Sequence, residues 1–435
     1  MVQAKNLDLP KKINRRLCIM MSAEEKLLDN VWQYPLFEAL ARRRVHRFGL
    51  GYELKEVPFP YRSEKKPVPL SELETALLCW AGHGVNGLSL GDFEFLLSTM
   101  LSWSGRTHPN PCNDQHVELM FNNDEGTFLY RPRGATKMVE VETRGERGKI
   151  LTSFREDTVK IGEGRLDLPP ASMLSANVWD TNRPGQTVFM PVINVTYEYI
   201  NFLLTRFGDR RIPIIDDRTG KPAGIQKWID NGFLNGPPMT LRMFENWVMN
   251  AIAANSFFIV QNINLACASM GLGCIVYTGI LPLVVMGGTP LTKGLGFRFV
   301  TGKDGMPTPV GKDGYIEGLC PPYFSMNEAV DRVIDVKFGK GGLFSKDYAG
   351  KVPWRERTIP TKIPKSSEEE VACTKAYCNY VYETYRRFPA SMDAIQIPVT
   401  GSVHHLDIAF YDNYYPQETV SKEHRNHMEV WHRGD

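Results

Sequence analysis

Four basic side chains within five positions form the first group that could carry out chemistry. They are Arg42, Arg43, Arg44 and His46. A guanidinium group can donate to two phosphate oxygens at once, so this group suits a dianionic phosphate. The same residues could instead be the solvated basic end of a helix, where the macrodipole favours cations. The basic segment alone leaves both interpretations open.

A loop rich in proline and asparagine, residues 104–115, is the second candidate. It reads SGRTHPNPCNDQ and precedes an apolar run, VELMFNN, that is typical of a strand. Such a loop can present backbone groups and short amides to a ligand, although a plain surface turn has the same composition. Its candidate binding residues are Pro109, Asn110, Pro111, Asn113 and Gln115.

A long apolar helix with a glycine-rich end is the third candidate. Residues 241–270 are helical in character, and the part from 251 onwards is apolar around most of its circumference. Such a helix belongs in a core or a subunit interface. Gly271 and Gly273 can end it in left-handed geometry, and the following strand leads to Thr278 and Gly279. A plain core helix that ends in glycine would fit the same pattern.

Taken in order, these three segments resemble the motifs of the FMN-dependent nitroreductase superfamily. The resemblance covers residues 30–130 and 245–300. The chain departs from the usual motifs at Arg44, where Ser is common, and at His46, where Arg or Lys is usual. In the loop, Asn110 replaces Ser and His116 replaces Pro.

The resemblance implies a site for each segment. The basic segment would contact the phosphate of FMN, and the loop would pass under the flavin ring. The backbone of Thr278 and Gly279 would lie next to flavin N5, where an N–H donor stabilises the charge that develops during hydride transfer. No catalytic side chain is assigned, because the flavin performs the chemistry. The basic residue near N1 and O2 is not identified; Arg298 and Arg355 are candidates.

The resemblance implies three alternative functions. The first is an NAD(P)H-dependent reductase of a small organic substrate such as a nitro compound, a quinone or an activated alkene. The second is an FMN-dependent dehydrogenase or oxidase, because RTHPNP, VEL, EGTFLYRP and the helix PLSELETALLCWAGHGV also resemble the azoline-oxidase branch. The third is a flavin-binding protein without turnover, which the unusual Arg44 and His46 suggest. In each case we expect a homodimer with FMN in two clefts between subunits.

Histidines are concentrated near the C-terminus. His424 and His427 could share one helix face, and Asp407 is nearby in sequence, so a metal site is conceivable. However, the polar residues 422–435 are typical of a solvated or partner-wrapping arm, and no metal is predicted. The five histidines of this region are His404, His405, His424, His427 and His432.

The elements that position these residues follow from apolar spacing and capping. Residues 24–48 predict one helix with a buried stripe, and residues 67–87 predict a second helix capped by Ser71 with Glu74 three residues later. Hairpins are expected up to 166, a buried element at 190–206 and an exposed insertion at 207–238. Further helices are expected at 326–337 and 367–387. The predicted stripe consists of Leu36, Phe37, Leu40, Ala41 and Val45.

The expected fold is α+β, a nitroreductase-like mixed sheet flanked by helices, with an insertion and a long C-terminal extension. The predicted division is a disordered leader at 1–22, an FMN domain at 23–300 with its insertion at 130–240, and an extension at 301–435 that wraps the domain or the partner subunit.

Composition excludes several other classes of protein. A net charge of +2 over 435 residues, without a long basic run, argues against a nucleic-acid partner. The apolar run 271–288 contains several glycines and Pro282, so no membrane span is expected there. Eight cysteines without CxxC spacing suggest a reducing cytoplasm. Without a GxGxxG motif, NAD(P)H would bind transiently over the flavin and not in a Rossmann domain.

Overall fold

The computed structural model describes residues 23–90, 100–111, 114, 116–132 and 147–433. The expected leader at 1–22, Asn113 and Gln115 lie outside these residues. The helices of the described residues are α1 Ala23–Gln33, α2 Leu36–Arg42, α3 Glu72–His83, α4 Lys149–Asp157, α5 Val195–Thr205, α6 Gln226–Asp230, α7 Leu241–Met270, α8 Pro282–Met286, α9 Met326–Phe338, α10 Lys346–Ala349, α11 Glu368–Tyr385, α12 Ile408–Tyr414 and α13 Lys422–Trp431.

The strands are short and come from every part of the described chain. They are β1 Glu53–Leu54, β2 Tyr61–Arg62, β3 Val85–Leu88, β4 Ser104–Arg106, β5 Val117–Asn122, β6 Gly126–Tyr130, β7 Thr158–Glu163, β8 Thr187–Asn194, β9 Ile214–Asp216, β10 Lys221–Pro222, β11 Met239–Thr240, β12 Gly273–Tyr277, β13 Arg298–Thr301, β14 Pro307–Lys312, β15 Ile316–Glu317, β16 Ile395–Gln396 and β17 Thr400–His404.

The largest sheet has the order β12-β17-β8-β5-β6-β7, and β16 also pairs with β8. Helices and sheet occupy separate layers, which confirms the predicted α+β class. The expected mixed strand directions are not found in this sheet, because all its pairs are antiparallel. Within the described residues, a parallel pair occurs between β9 and β11 in a small separate sheet.

The sheet is buried on both faces. Seven consecutive residues of β8 are buried, so it reads as a continuous apolar run and not as an alternating one. Phe189 and Ile193 face the main core under α7, whereas Met190 and Val192 belong to a second apolar cluster on the other face. Much of that second cluster comes from residues 275–297. The part of the chain around Gly279 therefore packs against this face of the sheet.

The long helix α7 organises the core. It spans Leu241–Met270 and ends at Gly271 with φ +84°, as the sequence predicts. It packs on α3 and on β8, β12 and β17. By length and composition alone this helix could cross a membrane, and half of its apolar window is buried inside the protein.

The expected helix at 24–48 is wrong in two respects. The chain forms two helices, α1 and α2, separated at Tyr34 and Pro35, because a proline ends the preceding helical turn. The predicted buried stripe is exposed: Phe37 is 82% and Leu36 61% exposed, while Ala39 is buried. Period alone cannot reveal whether an apolar face meets this chain or another one.

Two further expectations near the middle of the chain need correction. Residues 149–157 form helix α4 and not a hairpin arm, with Ile150 and Phe154 buried against α3 and the sheet. The stretch 207–238 is not a fully exposed insertion, because Phe207, Ile214 and Leu234 are buried in the main core. Its glycines and prolines mark turns between short buried segments.

The expected division into domain, insertion and extension also differs from the structure. Strand β8 lies inside 130–240 and pairs with β5 and β17, so this stretch supplies a central strand. Strand β17 lies inside 301–435 and separates β8 from β12. Both regions are integral to the main sheet. The C-terminal residues form helix α13 with His424 and His427 buried, which corrects the expectation of a solvated arm.

Candidate functional site

The basic segment leaves the end of α2 in extended form. Arg42 forms an ion pair with Glu38 one turn earlier in the helix. The Nη1 atom of Arg44 donates to the carbonyls of Ala41 and Arg43 at 3.0 and 2.9 Å. Among the described residues, neither Arg43 nor Arg44 has a carboxylate partner. Two guanidinium charges are therefore uncompensated at this point, as binding of an anion requires.

His46 does not share this exposed position. It is 3% exposed, and its Nε2 atom lies 2.7 Å from the Thr419 carbonyl, to which it donates as the Nε2–H tautomer. Its ring packs against Tyr411 and His424. Burial lowers the pKa of His46, so the ring is neutral at pH 7. His46 therefore fixes the basic segment to the C-terminal region, and its neutral ring does not add charge for a phosphate.

Arg47, which the sequence reading did not select, makes the most contacts in the segment. Its Nε atom lies 2.5 Å from Asp180 Oδ2, and its Nη2 atom donates to Asn177 Oδ1 at 2.9 Å. The guanidinium group lies 5.4 Å from the centre of the Trp179 ring. Arg47 thus ties the basic segment to residues 176–180.

Gly279 reaches the same residues from the other side. A Cβ atom at Gly279 would lie 2.7 Å from Asn177 Nδ2, so the glycine permits a close approach. Its carbonyl accepts from the Leu174 N–H at 3.0 Å, and the Leu281 N–H donates to Ser172 at 2.8 Å. Thr278 is exposed beside it. The first and third candidate segments therefore meet at Asn177.

An aromatic cleft of about 370 Å³ opens beside this junction. The stacked rings of Phe48 and Phe410, 4.2 Å apart, form part of its wall. The Phe48 N–H donates to the Tyr411 hydroxyl at 3.0 Å, which holds the segment against α12. A planar aromatic ligand with an anionic tail fits this combination of ring surfaces with the Arg44 guanidinium, which has no carboxylate partner among the described residues. Arg43, Thr278 and Gly279 do not line this cleft. The residues that line it include Arg44, Arg47, Phe48, Trp179, Tyr411 and Tyr415.

The opposite side of the basic segment lies next to the end of α7. Arg42, Arg43 and Arg44 share a narrow crevice with residues at the C-terminal end of that helix and with β12. In the same region a Cβ atom at Gly273 would lie 2.9 Å from the His46 carbonyl. The glycine after α7 therefore lets the basic segment pass close to the strand that leads to Thr278.

The loop at 104–115 lies at a different cavity. Asn110 donates from its side chain to the Asp114 carbonyl. Asn262 of α7 donates to the Thr107 carbonyl at 3.0 Å, which anchors the loop. Pro109, Asn110 and Pro111 do not line the aromatic cleft. A single chain therefore does not bring the described part of this loop together with the basic segment.

The cavity at the loop has a volume of about 390 Å³ and a buried ionic network on one wall. The Lys337 ammonium donates to Asp114 Oδ2 at 2.9 Å and to the Leu101 carbonyl at 2.9 Å. Asn201 donates to the same Asp114 oxygen at 2.6 Å. Lys337 is fully buried. This pair joins positions 223 residues apart, and no local sequence pattern predicts it.

Two acid–base groups beside this network have shifted pKa values. Burial lowers the pKa of His116 from 6.5 to about 4. Burial, reinforced by the Asp114 carboxylate, raises the pKa of Glu198 well above its usual value. The two side chains are 3.7 Å apart, and Asn255 reaches the other ring nitrogen of His116 at 3.0 Å. At neutral pH His116 is therefore uncharged, and burial disfavours the charged form of Glu198.

The other basic candidates are engaged elsewhere. Arg298 contacts Glu317 at 2.6 Å and Asp313 at 2.8 Å, on a different sheet from the cleft. Arg355 is exposed in the connector before α11. Of the C-terminal histidines, His424 lies against His46, whereas His405, His427 and His432 converge on Glu74.

Comparison with known proteins adds little to this description. No protein-family model matches the chain, and no curated protein matches it. Among solved structures, the chain is similar to a candidate nitroreductase from Ralstonia eutropha JMP134, with 16% identity over 57% of this chain and 72% of that one. The TM-score of this match is 0.27, which does not establish a common fold.

Proposed function

We propose that this chain is a flavin-dependent oxidoreductase that binds FMN in the aromatic cleft beside Asn177. The observation that carries the proposal is that the basic segment and the Thr278–Gly279 segment both approach Asn177. Arg47 donates to its side chain, and a Cβ atom at Gly279 would lie 2.7 Å from its Nδ2 atom. These segments are more than 200 residues apart in sequence, and nothing in their local patterns requires them to meet.

In this proposal Arg44, which lines the cleft, binds the phosphate of FMN, and Arg43, which lies in the adjoining crevice, adds positive charge beside it. Their guanidinium groups have no carboxylate partner among the described residues, whereas Arg42 is paired with Glu38. His46 is assigned a positioning role, because its Nε2 atom is occupied by the Thr419 carbonyl. Phe48, Trp179 and Tyr411 offer ring surfaces to a planar ligand.

The backbone at Thr278 and Gly279 would serve the reactive edge of the flavin. Leu174 holds the Gly279 carbonyl, and Ser172 holds the next turn of the chain through Leu281. A backbone fixed in this way is preorganised to donate a hydrogen bond where charge develops. When bound, FMN supplies hydride acceptance and donation at N5, so the chain needs no acid or base of its own.

We further propose that the molecule is a homodimer in which the loop at 104–115 of one subunit completes the cleft of the other. This arrangement would explain why the loop and the basic segment line different cavities in one subunit. The outer face of α7 supports it, because Phe257 and Phe258 are 43% and 37% exposed. Phe37 of α2 is a further exposed apolar side chain in this part of the molecule.

The favoured direction of electron flow is reduction of a small organic substrate with NAD(P)H as the transient donor. We expect a cytoplasmic enzyme with a small-molecule substrate and without a nucleic-acid or membrane partner. The second direction, desaturation of a substrate with electrons returned to oxygen, uses the same cleft and the same backbone contacts.

The absorption spectrum of the purified full chain, with the released cofactor identified, tests the proposal. Flavin bands and release of FMN support it. Without air, rapid bleaching of these bands by NADPH identifies a reductase, and failure to bleach identifies the dehydrogenase or oxidase. Tight FMN binding without turnover in either assay identifies a binding protein. A colourless protein that does not bind added FMN contradicts the proposal.

A further inference from the structure

One glutamate and three histidines from distant parts of the chain converge on a single point. The Oε1 atom of Glu74 lies 3.3 Å from His405 Nε2, 2.8 Å from His427 Nε2 and 3.2 Å from His432 Nε2. All four possible ligand atoms lie within 4.8 Å of one another. Glu74, His405 and His427 are buried and His432 is half-buried, so bulk water does not separate them.

The spacing of these atoms matches the edges of a small coordination polyhedron. Ligand atoms about 2.0 Å from a tetrahedral zinc ion lie about 3.3 Å from one another. The three distances from Glu74 are 2.8, 3.2 and 3.3 Å, which is within about half an ångström of this value, and every pair of the four ligand atoms is within 4.8 Å. The four side chains are therefore close enough to converge on one ion.

The histidines are also oriented as metal ligands. His405 Nδ1 lies 2.9 Å from the Val68 carbonyl, and His427 Nδ1 lies 2.7 Å from the Met270 carbonyl. A carbonyl can only accept, so each Nδ1 carries the proton and each neutral ring presents the lone pair of Nε2 to the centre. This arrangement, with the far ring nitrogen donating to a carbonyl, is typical of histidine ligands.

Glu74 is positioned by the start of α3. Its Oε2 atom accepts from the Ser71 N–H at 2.6 Å as part of a capping box, and the Ser71 hydroxyl accepts from the Glu74 N–H. The cap holds one carboxylate oxygen, and the other oxygen, Oε1, faces the histidines. The capping box therefore both begins α3 and directs the Oε1 atom of Glu74 toward the histidines.

Without a cation, these contacts are unfavourable. Neutral rings of His405 and His427 would direct lone pairs at a carboxylate oxygen, so acceptors would face one another. Protonation of both rings removes that conflict, but two imidazolium groups around one carboxylate leave excess positive charge in a buried site. A single divalent ion satisfies all four ligand atoms at once.

We propose that Glu74, His405, His427 and His432 bind one divalent transition-metal ion and that the site is structural. Four protein ligands fill a tetrahedral shell and leave no open position for a substrate, as in closed structural sites. The three nitrogen donors and one carboxylate oxygen suit Zn²⁺ best, because this ion accepts tetrahedral ligand sets of this kind. This inference does not depend on the proposed flavin chemistry.

The ion would fasten the C-terminal helix to the rest of the molecule. Glu74 belongs to α3, His405 follows β17, and His427 and His432 come from α13 and its end. Thr419 lies two residues before Ser421, the N-cap of α13, and its carbonyl accepts a hydrogen bond from His46 of the basic segment. Loss of the ion would therefore loosen the support behind the aromatic cleft.

Metal content of the full chain tests the site directly. We would strip the purified protein with a chelator, reload it with ZnCl₂, remove free metal and measure zinc by mass spectrometry. The variants are Glu74→Gln, which retains a side chain able to form the cap, and His432→Gln, which alters the half-buried ligand. The matched control is His83→Gln, another buried histidine of α3 that lies outside the cluster.

We expect one zinc ion per chain in the unmodified protein and in the control. In each variant the affinity should fall by more than the roughly 100-fold that loss of a hydrogen-bond partner behind a ligand can cost. The chelator should lower the thermal midpoint of the unmodified protein by several degrees, since an ion that binds only the folded state stabilises it. It should not change the midpoint of the variants.

Two results would overturn the inference. One is the absence of stoichiometric zinc in the reloaded unmodified protein, together with a thermal midpoint that the chelator does not change. The other is equal zinc affinity in both variants and the control. If Glu74→Gln does not fold, His432→Gln and the stripped and reloaded unmodified protein still give the decision.

Discussion

At the scale of single residues, the ion pair of Lys337 and Asp114 is almost completely buried. The exposed fractions of the two side chains are 0% and 2%, and their contact is 2.9 Å. A buried pair is not by itself a large source of stability, but removal of one partner strands the other charge in a region of low dielectric constant. The pair therefore specifies one arrangement of α9 against the loop after β4.

Substitution Lys337→Met should lower the free energy of unfolding by about 3–5 kcal/mol, because the buried Asp114 carboxylate loses its cation. The double variant Lys337→Met with Asp114→Asn should recover a substantial part of that loss. Urea unfolding of the three variants and the unmodified chain measures the coupling. Additive effects of the two substitutions would contradict a direct ionic contact.

His116 should make the protein sensitive to acid. Its pKa is lowered from 6.5 to about 4 because burial disfavours the imidazolium form. Between these values the unfolded chain binds a proton that the folded chain does not. Stability is therefore complete above pH 6.5 and falls as the pH decreases towards 4. At pH 5 the loss from this residue is about 2 kcal/mol.

The variant His116→Gln removes this titration. We expect the unmodified protein to lose about 2 kcal/mol more than the variant when the pH is lowered from 7.5 to 5. Chemical unfolding at the two pH values gives the comparison. An equal loss in both proteins would show that His116 is accessible to protons in the folded state.

At the scale of elements, the glycine that ends α7 also permits a contact with a helix that is distant in sequence. Gly271 has φ +84°, and a Cβ atom there would lie 2.3 Å from the Glu423 carbonyl of α13. Glycine is required for the left-handed end of the helix and for the approach of the C-terminal helix. The sequence predicts the first of these requirements but not the second.

Substitution Gly271→Ala should therefore destabilise the protein more than Gly305→Ala does. Gly305 also has a positive φ, +76°, but nothing lies within 4 Å of its Cβ position. We expect a loss of about 1 kcal/mol at Gly305 and at least about 2 kcal/mol at Gly271, where the clash adds to the backbone strain. Thermal unfolding compares the two. A smaller loss at Gly271 would mean that α13 does not pack there.

The exposed face of α7 makes a prediction about assembly. If this face forms the proposed dimer interface, Phe257→Asp with Phe258→Asp should convert the dimer to a monomer, because charged residues are depleted in interface cores. Leu291→Asp is the control, since Leu291 is 57% exposed on a separate loop. Light scattering coupled to size exclusion measures the mass. A dimer that survives the double substitution would place the interface elsewhere.

Helix boundaries were the part of the fold most accessible from sequence. The cap at Ser71, the glycine after α7 and the helices at 326–338 and 368–385 are local patterns, and the structure confirms them. The predicted burial of the apolar stripe on α2 is wrong. Helical periodicity shows which residues share a face but not what covers that face.

At the scale of the whole molecule, the contacts that matter most join distant parts of the chain. Strand β17 enters the sheet between β12 and β8, and this brings His405 to Glu74, 331 residues away in sequence. The same pairing explains why the C-terminal region is not an appendage. No local pattern encodes a strand order, so neither the central position of β17 nor the histidine cluster could be predicted.

The candidate site was partly accessible from sequence. The basic segment and the Thr278–Gly279 segment were selected as separate patterns, and in the structure both contact residues 174–177. The residues that join them, Asn177 and Arg47, belong to no recognised pattern, and the aromatic wall comes from three parts of the chain. Such residues become visible only when the chain is folded.

The affinity of the protein for FMN, measured by quenching of flavin fluorescence, tests the proposed binding cleft most directly. The comparison is between the unmodified chain, the double variant Arg43→Ala with Arg44→Ala, and Arg42→Ala as the control whose guanidinium is already paired with Glu38. We predict that the double variant binds FMN at least about 100-fold more weakly, since charge-assisted contacts contribute roughly 1.5–3 kcal/mol each. The control should change little, and circular dichroism should show all three proteins folded. Equal FMN affinity in the folded double variant, or no FMN binding by the unmodified chain, would contradict the account.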